Sequence, residues 1–250
     1  MWALEMFKRT YGYVLRHPST MRGYWGDWYY RDRYERVLAR LLKICVSEEM
    51  TILELGCARG RYAESSAVTG CGYYYIGCDI DARSLRSAYR GLNTDYVLCD
   101  IHRLPFIKKC AEVVLCSEVL EHLALPYQVL RSMCELLTRV LILTFPEERP
   151  LRMLRDRHPE HVSEIDKEIV IYVLRSEDLR IIEVSVIFSS FIPCGLLEFL
   201  RLPRNSFTQT VVSSLDTLLR RLVPSTIVPY KTILIEARPS KGSLPNSISA

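Results

Sequence analysis

From residue 51 onward, short apolar runs alternate with stretches of helical period. TILEL (51–55) is followed by a helical pattern near Arg61 to Val68, then YYYIGC (73–78) and a second helical pattern near Ala82 to Leu92. The alternation continues through YVLC (96–99), AEVVLC (111–116), a helix near Pro126 to Thr138, and RVLILTF (139–145). Strands of almost continuous apolar composition, separated by helices, belong to a mostly parallel sheet covered on both faces and linked by right-handed crossovers. The pattern predicts a doubly wound α/β fold.

Outside this core the pattern changes. Tyr34 to Cys45 repeats Val37, Leu38, Leu41 and Leu42 at helical spacing, and predicts an amphipathic helix within an aromatic and basic N-terminal cap, residues 1–48. A charged segment from Pro146 to Lys167 precedes an apolar helix near Glu168 to Arg175, a strand near Arg180 to Phe188, and a final strand near Tyr230 to Arg238. The organisation expected is a core of residues 49–188, a helical insertion at 189–229, a last core strand at 230–238, and a Ser-, Gly- and Pro-rich tail at 239–250 that frays. The insertion combines an apolar part, Phe191 to Leu202, with an amphipathic helix, Val211 to Leu222. With Tyr24, Trp25, Trp28 and Tyr29 it would form a lid suited to an apolar acceptor or to peripheral contact with a membrane surface. An ordinary hydrophobic cap explains the same residues equally well.

Composition narrows the class. The 250 residues are 49% hydrophobic, enough for one sizeable core, and 33 basic against 29 acidic side chains leave a net charge of only +4. A charge so slight and so dispersed disfavours a nucleic-acid partner. Nine cysteines form no CxxC pair, and no uninterrupted apolar run reaches membrane-spanning length. Reduced thiols in a cytoplasmic protein are expected.

Candidate chemistry gathers where strands end. The first strand closes in Glu54-Leu55-Gly56-Cys57-Ala58-Arg59-Gly60, whose glycines permit positive φ and close approach of a ligand to the backbone. Ligands of open α/β sheets sit beyond the carboxyl ends of the strands. Glu54 offers a carboxylate to a ligand ammonium or to the amides of the turn itself. A dinucleotide fingerprint needs glycine at the first, third and sixth positions, where this chain has Gly56, Ala58 and Arg61. The second strand ends in Asp79, nineteen residues after Gly60, and the third in Asp100. Asp81 reads as the N-cap of the next helix.

The segments ELGCARGR, YIGCDID, CDIHRLPF and VVLCSEVLEHL, in this order and spacing, resemble the successive motifs of the class I S-adenosylmethionine-dependent methyltransferases. The branch most similar includes the ubiquinone and menaquinone biosynthesis methyltransferases. The resemblance covers residues 50–145 most strongly. It implies a Rossmann-like seven-stranded sheet with helices on both faces and an antiparallel last strand, and S-adenosylmethionine as cofactor. It further implies that Glu54 and the turn Gly56, Cys57, Ala58, Gly60 hold the methionine part. Asp79, with Ile80 beside it, would meet the ribose, Asp100 and Ile101 the adenine, and Ser117 and Glu118 would lie beneath the sulfonium. The chain departs from the family at Ala58, where a glycine is usual, and at Ala111-Glu112, where Phe-Asp is common.

Methyl transfer from a sulfonium is an in-line displacement on an already activated electrophile, so positioning supplies much of the catalysis and a general base is optional. His122 and His161 are the candidates if one is used, since imidazole titrates near neutrality. No cluster has zinc-like spacing, so no metal is expected. Arg59, Arg61 and Arg103 are placed to meet an anionic acceptor. A small-molecule acceptor is the first expectation. A protein or RNA methyltransferase and a non-catalytic S-adenosylmethionine-binding module are the alternatives.

Overall fold

The computed structural model describes residues 24–45, 50–69, 72–148, 161–190, 203, 205–222 and 230–240. The expectations for residues 1–23, for Phe191 to Leu202 and for most of the tail lie outside them. The elements are α1 (Tyr24–Cys45), β1 (Thr51–Leu55), α2 (Arg61–Thr69), β2 (Tyr74–Asp79), α3 (Ala82–Arg86), β3 (Thr94–Leu98), β4 (Ala111–Ser117), α4 (Pro126–Leu136), β5 (Leu137–Glu148), α5 (Lys167–Ser176), β6 (Leu179–Ser190), α6 (Ser206–Leu222) and β7 (Tyr230–Pro239). Single 3₁₀ turns follow β3, at Ile101–Arg103, and β4, at Leu120–His122.

All seven strands form one sheet in the order β3-β2-β1-β4-β5-β7-β6. β1 through β5 pair in parallel, and β7 runs antiparallel between β5 and β6. The alternation of side chains along each strand divides the core in two. Leu53 and Leu55 of β1, Val114 and Cys116 of β4, and Leu141 and Leu143 of β5 pack with Val129, Leu130 and Met133 of α4 and Val170 and Leu174 of α5. Ile52, Val113, Leu115, Val140 and Ile142 face the other way, against Val37, Leu38 and Leu41 of α1 and Tyr62 of α2. Strand order reverses between β1 and β4, and this sets the ligand crevice at the carboxyl ends of those two strands.

Two elements differ from the sequence expectation. α1 begins at Tyr24, ten residues before the periodic stretch, so the aromatic segment is part of the same helix. α3 stops at Arg86 instead of running to Leu92. Asp81 caps its start by accepting from the amides of Arg83 and Ser84, as the sequence suggested, while the Ser87 hydroxyl takes the carbonyls of Arg83 and Ser84 at its end. Gly91 and Thr94 then close a turn into β3. Among the described residues, no helix is long and apolar enough to cross a membrane.

Candidate active site

The glycine turn is tied to the second strand before any ligand is considered. The amides of Gly56 and Cys57 both donate to the Cys78 carbonyl, at 2.9 and 3.0 Å, and Gly60 donates back to Cys57. Gly56 and Gly60 take φ of +77° and +67°, and Ala58 takes +47° between them. A side chain at Gly60 would drive into the Tyr96 hydroxyl, so glycine is required there on space as well as on φ. Asp79 braces the turn from β2. One carboxylate oxygen accepts from the Ala58 amide and the other from the Asp81 amide, each at 2.8 Å.

A crevice opens above this turn, lined by Glu54, Gly56, Cys57, Ala58, Ser117 and Glu118 from the sheet edge, by Arg61 and Tyr62 from α2, and by Arg33 and Tyr34 from α1. Glu54 is buried at its floor and accepts a hydrogen bond from the Tyr75 hydroxyl. Burial pushes its carboxyl up to about 8, against the lowering effect of that hydrogen bond, and the nearby Asp79 charge adds to the rise. Burial also drives the Cys57 thiol far above its ordinary value, which keeps it a neutral lining group.

Ser117 and Glu118 are held from β5. The Ser117 and Thr144 hydroxyls lie 2.8 Å apart, and the Glu118 amide donates to the Thr144 carbonyl. Glu118 sits at a φ of +56°, a conformation that a non-glycine residue adopts only when its surroundings enforce it. Its carboxylate meets Arg33 at 2.5 Å. Tyr34 stacks on Tyr62 with ring centroids 4.7 Å apart, and its hydroxyl donates to the Arg61 carbonyl. Helix α1 is thereby docked over the turn, and Arg33, Tyr34 and Tyr62 join a site that sequence motifs did not assign to them.

A family model described as a methyltransferase domain matches residues 53–141, the span that supplies the turn, Asp79, Asp100, Ser117 and Glu118. Residues 53–141 are similar in sequence to a methyltransferase domain. The fold agrees: magnesium protoporphyrin IX methyltransferase from Synechocystis PCC 6803, solved with bound S-adenosylmethionine, superposes with a TM-score of 0.57 at 13% identity, over 95% of this chain and 91% of that one. An S-adenosylmethionine-dependent methyltransferase from Aquifex aeolicus aligns at 0.51 and 13% identity, over 80% of this chain and 88% of that one. The [4+2]-cyclase SpnF aligns at 0.58 and 16% identity, over 82% of this chain and 81% of that one, so the fold by itself does not fix the reaction. No curated protein matches the chain in sequence.

The S-adenosylmethionine held by the Synechocystis protein carries an ammonium and a carboxylate at its amino-acid end. The crevice offers groups of the complementary kinds. Oε1 of Glu118 and Nε of Arg33 are buried there without a hydrogen-bond partner among the described residues, one an acceptor and the other a donor. The residues present fit the group.

The other residues singled out in the sequence fall along the same edge of the domain but outside this crevice. Asp100 accepts from both the His102 amide and the His102 ring. Ile80 is exposed and Ile101 is buried. Arg59 and Arg103 are exposed, whereas Arg61 lines the crevice. His122 and His161 come together edge to face, with ring centroids 5.0 Å apart, and neither lines the crevice.

Proposed function

We propose that this chain transfers a methyl group from S-adenosylmethionine to a small, partly apolar acceptor admitted beside α1. The observation that carries the reading is the pair of buried, unpartnered polar atoms on Glu118 and Arg33, set in a crevice at the switch point of a methyltransferase sheet. When bound, S-adenosylmethionine supplies an electrophilic methyl on a positively charged sulfur.

The chain's own residues bind and orient. Glu54, Gly56, Cys57, Ala58 and Gly60 take the amino-acid end, with Ser117 and Glu118 beneath the sulfonium. Asp79 and Ile80 take the ribose, and Asp100 and Ile101 the adenine. The carboxylates of Asp79, Asp100 and Glu118 suit a ligand that carries net positive charge at one end. In-line displacement then rests on holding the acceptor in place, and no general base is needed in the crevice. Tyr34 and Tyr62 give the wall beside the turn an aromatic face, and α6 exposes Phe207, Val211, Leu215, Leu218 and Leu222 along one side. That stripe supports an apolar acceptor, and is the surface on which peripheral membrane contact would rest. Seven described cysteines are all unbridged, in keeping with a reducing, cytoplasmic setting.

The test is a labelled-methyl assay on cell extract split into small-molecule, protein and RNA fractions, run beside calorimetry with S-adenosylmethionine, S-adenosylhomocysteine and NAD. Label in the small-molecule fraction is expected. Label in protein or RNA moves the acceptor to that class, and tight sulfur-nucleoside binding with no label anywhere identifies a non-catalytic module. Binding of NAD alone overturns the reading.

A further inference from the structure

Glu121, His122 and His161 place one ligand atom each within 4.8 Å of one another, at the carboxyl edge of the sheet just past β4. We propose that these three side chains form a binding site for a divalent first-row transition metal of the zinc type. The inference is independent of the methyl-transfer reading, because none of the three lines the cofactor crevice.

No spacing in the sequence announces this group, since thirty-nine residues separate the two histidines. The fold assembles it through the backbone. Leu120–His122 is a 3₁₀ turn closed by the His122 amide on the Val119 carbonyl. The Glu121 carbonyl accepts from the amides of both Val162 and Ser163, at 2.8 and 3.0 Å. The Ser163 hydroxyl donates to the Leu123 carbonyl at 2.5 Å, and the Asp166 amide donates to the Tyr127 hydroxyl. Residues 161–166 are thus strapped to the 3₁₀ turn and α4 by bonds that involve no imidazole, and His161 is delivered to His122 whether or not a metal is present.

The donor set selects the ion. Two imidazoles and one carboxylate suit zinc, iron, nickel or copper, whereas magnesium and calcium prefer all-oxygen sites. Donors on one tetrahedral zinc stand about 3.3 Å apart, so the three groups, now within 4.8 Å of one another, must close by up to about 1.5 Å. Glu121 is 1% exposed and anchors the site from inside, while His122 is exposed. Three protein ligands leave a fourth position of a tetrahedral ion open on the solvent side, the arrangement of an exchangeable rather than a closed structural site.

The experiment uses the full chain, treated with chelator, dialysed against Zn²⁺ and assayed for bound metal, with Co²⁺ titration followed by visible absorption. One equivalent per chain is expected, with Co²⁺ giving a d–d spectrum and Mg²⁺ failing to compete. His122→Ala and His161→Ala should each weaken binding at least about tenfold, with circular dichroism checking that the metal-free variants keep the wild-type fold. The absence of stoichiometric metal in the wild type overturns the proposal. So does stoichiometric binding that both variants retain, which would put the metal on the cysteines.

Discussion

A guanidinium nitrogen of Arg33 lies 2.5 Å from a carboxylate oxygen of Glu118, across 85 residues of sequence and two elements that share no motif. Both side chains are largely buried, at 17% and 19% exposed, and each keeps one further polar atom without a partner among the described residues. The pair ties α1 to the end of β4, and both residues line the crevice.

A double-mutant cycle tests that pair. Arg33→Met alone leaves a buried carboxylate uncompensated and should cost about 1–3 kcal/mol, which for a chain of this size is a fall of roughly 2–10 °C in Tm. Glu118→Gln alone should cost a comparable amount. Combined, the two should recover at least about 1 kcal/mol relative to the sum of the singles, because the second substitution removes the charge that the first stranded. Strict additivity in thermal melts would mean that the contact contributes nothing.

Glu54 gives the apo protein a pH dependence of unusual sign. Its carboxyl is raised from 4.5 to about 8 in the fold, so between those values the folded chain holds a proton that the unfolded chain has lost. Stability is full below about 4.5 and declines as the pH climbs through about 8. Glu54→Gln keeps an acceptor for the Tyr75 hydroxyl and carries no titrating charge, so it should flatten this slope. Melting curves from about pH 5 to about pH 8.5 compare the two proteins, in the range set by the shifted value. Parallel slopes would show that Glu54 is ionised throughout.

The Gly56–Gly60 turn makes a separate prediction at Ala58, which stands at positive φ where the family pattern has glycine. Ala58→Gly relieves a left-handed cost of about 1–2 kcal/mol and loses about 0.4–1 kcal/mol through the freer unfolded chain, so it should stabilise slightly. Ala58→Val adds β-branching in the same region and should destabilise by more than about 1 kcal/mol. The main-chain bond from Ala58 to Asp79 is available to all three residues. Thermal melts that rank alanine above glycine would contradict the conformational account.

The central strands were legible because β1, β4 and β5 are buried on both faces and read as almost continuous apolar runs; TILEL became β1 residue for residue. The acidic strand ends were legible because parallel strands deliver their last residues to a single edge. α3 was over-extended because nothing in its periodicity reveals that Ser87 would turn its hydroxyl back onto the helix carbonyls. Arg33 and the meeting of His122 with His161 were illegible for another reason. Both depend on tertiary docking, of α1 over the turn in one case and of residues 161–166 on the Glu121 carbonyl in the other, and no local pattern encodes either.

Asp79 carries the last prediction, because the fold gives it two tasks. Its oxygens accept from the Ala58 and Asp81 amides, which braces the turn, and the proposed ribose contact draws on the lone pairs that remain. Asp79→Asn retains one acceptor oxygen and sets an NH₂ against the second amide, so the turn should loosen. Asp79→Ala loses both bonds. Charge-assisted bonds of roughly 1.5–3 kcal/mol imply at least about tenfold weaker cofactor binding in Asp79→Ala, with Asp79→Asn milder. Because the ribose lies away from the transferred methyl, the loss should appear in the cofactor KM and leave kcat at saturating cofactor much less affected. Melting temperature and cofactor Kd are to be measured on the same preparations. A fall in Tm with Kd unchanged would reduce Asp79 to a brace for the turn, and a fall in both that the asparagine partly rescues is the outcome expected of a residue that does both.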